Sequence, residues 1–298
     1  MHKLRFLNYI TPSFQQPYQK YGKIEYMAIP NFVYKGNRVL LKELTKTDFK
    51  LRYQGSLLGY LWALLRPLMM FAILYVVFGQ LLKFGGNIPH YPVYLLAGTT
   101  PWAFFTECTN QGIQAIVTRG ELIRKICFPK YIVVVSATLT AVINLLINMV
   151  VVAIFALFDG IEPSWTWLLA PFVLFEFYCL ALGVSFLFGA INVKYRDITS
   201  IWDVITQALF YAVPIIYPIS MIIETSDIAA KVILLDPIAQ VIQDFRYLVI
   251  TPETITTWSY VGEGNPIIKF IPIIIVVVLL VWGSWYFRRK SKRFAEEI

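Results

Sequence analysis

Charge is scarce in this chain of 298 residues: Asp, Glu, Lys and Arg make up 15% of it, against roughly a quarter in an ordinary soluble domain. A soluble fold of this length buries a large core but still needs a charged skin, and the residues to make one are missing. Histidine is scarcer still, with only His2 and His90, and there are three cysteines. Cys108 and Cys179 fall within apolar runs and Cys127 within a polar loop. No Cys-x-x-Cys pair or histidine cluster accompanies them, which argues against a zinc site and against a disulfide framework. The Gly-x-x-x-x-Gly-Lys-Ser/Thr phosphate loop, His-Glu-x-x-His and Gly-x-Ser-x-Gly are absent too. The chain is therefore not expected to be an enzyme, nor to bind a metal or cofactor itself.

Apolar residues fill the space: 58% of the chain is hydrophobic and 16% aromatic, with a mean hydropathy of +0.63. A hydrocarbon slab about 30 Å thick needs roughly 20 consecutive apolar residues in helix. Runs of that kind occupy 60–82, 93–117, 131–157, 166–191, 199–218 and 267–287, and six membrane spans are expected from them. No short apolar run near residue 1 precedes a small-residue cleavage site, so no removable signal peptide is expected.

The basic residues set the orientation. Of 26 Lys and Arg, eleven lie from Lys3 to Arg66, four between runs two and three, two between runs four and five, and five from Arg288 to Arg293. All of these fall on one side of a six-span chain. Only Lys83, Lys231, Arg246 and Lys269 fall on the other, so the positive-inside rule puts both termini in the cytoplasm. The formal net charge of +8 then reflects topology and adhesion to anionic lipid, and nucleic acid is not an expected partner.

Between the runs, Arg38, Lys42, Lys46 and Lys50 recur every four residues and stack on one helical face, with Leu40, Leu41, Leu44 and Leu51 around the rest. This pattern suits an amphipathic helix over 38–52 lying in the inner headgroup layer. Residues 1–37 show no such pattern. The loop 118–131 carries Leu122, Ile123, Ile126 and Phe128 among charges, with Glu121 and Lys125 at a favourable i, i+4 spacing and Pro129 as a stop. It reads as a short surface helix, either a connector or a knob that fills a groove on a partner. Residues 219–266 include LLDPIAQVIQDFRYLVI, which is too interrupted to cross and reads as a helical hairpin on the outer side, with Asp236-Pro237 opening a helix.

Polar groups inside apolar runs are costly and tend to face protein or water. Arg66 could meet an anionic lipid headgroup or snorkel to the interface. Glu107 and Glu176 are candidates for a proton relay, and Asn144 and Asn148 for hydrogen bonds between helices. Phe71, Tyr75 and Phe78 form a stripe at i, i+4, i+7, suited to packing or to lining a conduit for sugar rings.

Six stretches together carry a resemblance: LRYQGSLLGYLWALLRPL, PWAFF at 101–105, ELIRKICFPK at 121–130, KYRDI at 194–198, YAVPIIYP at 211–218 and DPIAQVIQDFRYLVI at 236–250. In this order and spacing the chain resembles the permease subunit of ABC exporters for cell-surface polysaccharides, a family that includes teichoic-acid and O-antigen export permeases. The resemblance runs from about residue 43 to 290, and two places depart from it: Arg66, where many relatives are expected to have a neutral residue, and YAVPIIYP, in place of a more usual Ser-Pro-containing version. It implies a homodimer of six-span subunits in the bacterial cytoplasmic membrane. Two cytoplasmic ATPase subunits, which hold ATP and Mg, would drive it, and the substrate would be a polysaccharide on a polyprenyl diphosphate lipid.

The expected fold class is thus an all-α integral membrane protein. It would have six transmembrane helices, an amphipathic interface helix at 38–52, a short cytoplasmic coupling helix and a re-entrant segment between spans five and six. Residues 1–37, outside the resemblance, would form a cytoplasmic segment without an assigned role, and 53–298 the permease domain. Glu121, Leu122, Ile123, Arg124 and Lys125 would couple to the ATPase, Phe71, Tyr75 and Phe78 would line the channel, and Arg66 would receive the lipid head. The alternatives are a proton- or ion-coupled transporter of lipid-linked glycans, relying on Glu107 and Glu176, and a membrane glycosyltransferase using Asp236 and Asp244.

Overall fold

The computed structural model describes residues 35–55, 58–261 and 266–298; nearly all of the 1–37 segment lies outside them. Regular structure among the described residues is entirely helical. The chain starts with α1 (Lys35–Tyr53) and continues into α2 (Trp62–Leu74), which widens into a π-helical stretch over Tyr75–Leu81. There follow α3 (Tyr91–Thr118), the short α4 (Gly120–Lys125), α5 (Tyr131–Phe158), α6 (Ala170–Asn192) and α7 (Ile198–Ala212). Then come α8 (Ile219–Thr225), α9 (Asp227–Leu234), α10 (Pro237–Val249) and α11 (Thr257–Tyr260), before the long α12 (Ile271–Lys290) and the final turn α13 (Phe294–Glu297).

Among the described residues, four helical runs are long and apolar enough to cross a membrane: Gly59–Leu81, Tyr131–Phe158, Trp165–Asn192 and Ile267–Lys290. The two other expected spans differ in instructive ways. Helix α3 has 28 residues, about 42 Å at 1.5 Å per residue, but it carries Glu107, Gln111, Gln114 and several threonines. It is lodged between α5 and α6, its main packing partners, so Thr100 and Thr109 are buried and Glu107 and Gln111 partly so, while Gln114 stays exposed.

The run at 199–218 is not one helix. Helix α7 has 15 residues, about 22 Å, and ends before Pro214, whose ring restricts the preceding residue. Val213 is accordingly extended, with φ −85° and ψ 141°. The chain then runs irregular and buried through Val213, Ile215 and Ile216.

Helix α6 is the hub. It packs most heavily on α12, where Gly183 and Gly283 let the backbones touch: a Cβ on Gly283 would lie 2.4 Å from the Gly183 carbonyl oxygen. Small residues at such a crossing allow the close approach that drives helix association in lipid. A large apolar core joins α3, α5, α6 and α10, and a second gathers at the α4 end of the bundle around Leu40, Leu44, Ile123, Ile132, Phe287 and Phe294. Outward faces stay apolar, as with Phe172 and Phe175 on α6 and Val281, Trp282 and Trp285 on α12, each at least half exposed. Such faces need lipid or another chain to cover them.

Candidate functional site

At the α4 end, α1 lies along α5 with Leu40 and Leu44 buried while Arg38, Lys42, Lys46 and Lys50 stay exposed. Three contacts fasten it. Arg119, just ahead of α4, pairs with Asp48 and donates to Ser136 Oγ at 2.7 Å. Arg52 pairs with Glu107 of α3, and Tyr53 donates to Asn144 Oδ1 at 3.1 Å. A shift of α4 is thereby tied mechanically to α1 and α5.

Helix α4 presents Glu121, Arg124 and Lys125 to solvent. Its apolar residues are placed otherwise than as a knob for a partner: Ile123 is 5% exposed and turned into the protein's own core, and Leu122 is partly buried against the same cluster. With only six residues, α4 has one face to bury, and the core beneath it takes that face. The surface open to a partner here is charged.

The α2 stripe folds back on the bundle. Phe71 is buried, stacked on Tyr75 at 5.9 Å and edge-on to Phe155 at 5.7 Å. Tyr75 and Phe78 are half-buried, and Gln80 donates to the Tyr75 hydroxyl at 3.2 Å. Arg66 is exposed, with Tyr53 within electrostatic reach.

Glu107 and Glu176 do not form a relay, because each is held by a separate set of groups. Glu107 accepts from Arg52, from Gln111 Nε2 at 2.9 Å and from Asn144 Nδ2 at 2.7 Å. Glu176 faces Gln240 and Asp244 of α10. Asp236 and Asp244 are not a catalytic pair either. Asp236 caps α10 by accepting from the Ile238 amide at 3.4 Å, whereas Asp244 accepts from Gln240 Nε2 at 2.6 Å.

Among the described residues, the most heavily bonded side chain is Arg246, which the sequence marks only as an interruption in an apolar stretch. It is fully buried and faces carbonyls rather than a carboxylate. Its guanidinium donates to the backbone oxygens of Tyr94 at 3.2 Å, Pro214 at 2.7 Å and Ile215 at 2.6 Å, and to Gln243 Oε1 at 3.1 Å. It also lies 3.5 Å from the Tyr94 ring centroid. The proline break after α7 frees the carbonyls that this cation collects. Gly98 makes room for it, since a Cβ there would sit 2.3 Å from Arg246 Nη2.

Comparison with known proteins places this architecture. Residues 39–250 match the ABC-2 type transporter family. The chain is 30% identical over 258 residues to an O-antigen export system permease protein of Klebsiella pneumoniae, covering 86% of this chain and 94% of that one. It is 27% identical over 262 residues to a protein of the same name from Myxococcus xanthus, covering 88% and 96%. A polysialic acid transport protein of Escherichia coli is 21% identical over 262 residues, covering 85% and 95%. With a family match reaching from α1 to the end of α10 and relatives aligned over nearly their full length, this chain belongs to the ABC-2 type transporter family and is a transmembrane ABC transporter permease.

Proposed function

We propose that the chain is the membrane subunit of an ATP-driven exporter that carries a cell-surface polysaccharide of the O-antigen or teichoic-acid type, linked to polyprenyl diphosphate, outward across the cytoplasmic membrane. The observation that carries this reading is the set of relatives named as O-antigen export permeases that align with it almost end to end. The chain has no phosphate loop, consistent with ATP and Mg being held by two copies of a separate cytoplasmic ATPase. A homodimer would cover the exposed apolar faces that lipid does not. The six crossings comprise the four apolar runs, α3, and α7 completed by the buried 213–216 segment. The α4 end faces the cytoplasm with both termini, in keeping with the clustered basic residues there.

In this reading α4 is the coupling helix and α1 the interface helix. ATPase docking uses Glu121, Arg124 and Lys125 directly, while Leu122 and Ile123 anchor the helix that carries them. Arg66, exposed near the start of α2, meets the anionic lipid head, and Tyr75 and Phe78 border the sugar path. Deleting the gene tests the whole: surface polysaccharide is lost and its lipid-linked precursor accumulates inside, whereas unchanged surface polymer rules the reading out. Proton- or ion-coupled transport through Glu107 and Glu176 is disfavoured by the separate partners of the two carboxyls.

A further inference from the structure

Two acidic side chains have no place in that scheme. Glu176, less than two turns into α6, and Asp244, on α10, meet around the amide of Gln240. Gln240 is 3% exposed and Asp244 8%. Gln240 Nε2 donates to Asp244 Oδ2 at 2.6 Å, the same amide faces the Glu176 carboxyl, and the Trp258 side chain supplies a second donor to Asp244. The cluster is short of hydrogens. Among the described residues, Glu176 Oε1 and Gln240 Oε1 are both buried without a hydrogen-bond donor. Ionised carboxylates only accept, so with both acids charged neither can supply a hydrogen to Gln240 Oε1, and Glu176 has only the second hydrogen of the Gln240 amide to draw on. Adding a hydrogen to one carboxyl turns an acceptor into a donor.

Among the described residues, no cation compensates the pair. Arg246, two residues along α10, turns to the opposite face and is used up on Tyr94, Pro214 and Ile215. Along α6 the other titratable neighbour is the Cys179 thiol, and α3 contributes Tyr94, already covered by Arg246. The 165–169 turn and residues 271–287 of α12 contain no charged side chain. Asp227 and Lys231 of α9 pair with each other at the surface, and Asp236 caps the start of α10.

We propose that Glu176, Gln240 and Asp244 form a proton-binding site in which the two carboxyls share one proton, and that this proton latches α10 onto α6. Access comes from a groove of about 490 Å³ walled by Asp244 with Phe172, Tyr247 and Trp258, which opens at the end of the bundle remote from α4. Burial pushes the Asp244 carboxyl up to about 6, even with Gln240 and Trp258 pulling the other way. An acid raised in the fold binds its proton more tightly folded than unfolded, so its contribution is intact at low pH and is lost as pH rises through the folded value. Losing the shared proton also sets two like charges together.

The test uses the purified full-length permease in detergent, with its melting temperature and infrared carboxyl absorption followed between about pH 5 and pH 8, where ordinary carboxyls are already ionised. Asp236, partly buried and raised to about 6 as well, is removed from the background with Asp236→Asn, which preserves the cap. In that background the melting temperature should fall on the order of 5 °C across the range, together with loss of a protonated-carboxyl band. Glu176→Gln and Asp244→Asn, each placing a permanent neutral donor in the cluster, should each abolish the fall and the band. A flat melting profile with no titrating band in the Asp236→Asn protein overturns the proposal without recourse to the other variants. So does stabilisation that follows sodium concentration at fixed pH, which would make the site one for a metal cation.

Discussion

Glu107 and Glu176 are the same residue type, each set in a long helix among apolar neighbours, yet the α1–α3–α5 junction and the α6–α10 junction treat them in opposite ways. Glu107 receives a guanidinium from Arg52, 55 residues away in sequence, and amides from Gln111 and Asn144. It becomes a rivet holding a surface helix to the bundle. Glu176 meets another acid and one shared amide, an arrangement that stores a proton rather than a contact. The difference teaches that a carboxyl within an apolar helix takes its role from what the fold brings opposite it. Arg246 makes the same point for a cation, satisfied by carbonyls released at a proline break.

The largest expected effect comes from removing that cation. Arg246→Met leaves the carbonyls of Tyr94, Pro214 and Ile215 buried without donors and should cost about 3 kcal/mol or more, read as a lowered melting temperature of the purified permease. Arg246→Lys keeps the charge but not the fork and should recover only part of it. An Arg246→Met protein as stable as wild type would show that the broken segment holds itself.

Next is the α4 end, where an internal role and a docking role for Ile123 can be separated. Ile123→Ala should cost about 2–4 kcal/mol in the isolated permease, as for other buried aliphatic truncations. The charge reversals Arg124→Glu with Lys125→Glu should leave its melting temperature unchanged yet reduce recovery of the ATPase in co-purification. Loss of docking without destabilisation in Ile123→Ala would return that residue to the partner-facing surface.

Glu107→Ala should cost about 1–3 kcal/mol by stranding Asn144 and releasing Arg52. The ion pair itself contributes less, since both side chains are partly open to solvent and screened there. Glu107→Gln, which still accepts from Asn144, should therefore recover most of the melting temperature, and no recovery would show that the charge dominates. The smallest effect is expected at Tyr75→Phe. It removes one exposed-side hydrogen bond to Gln80 and should leave stability within about 1 kcal/mol, so that any fall in surface polysaccharide reports on the sugar path.

By itself the sequence determined the helical class and the apolar runs. It also determined the clustering of basic residues between alternate apolar runs, the opening of α10 at Asp236-Pro237 and the amphipathic pattern of α1. These are matters of period, composition and backbone chemistry, which act over a few turns of chain. Tertiary structure alone decided that α3 is buried enough to carry Glu107, that Ile123 points inward and that Phe71 packs on Phe155. It also decided that Pro214 and Ile215 offer their carbonyls to an arginine some 30 positions on. Apolar burial is nearly direction-blind along a helix, so any face can be chosen for it. Hydrogen bonds and ion pairs act only over a few ångströms, and which groups come that close is set by how the helices stack.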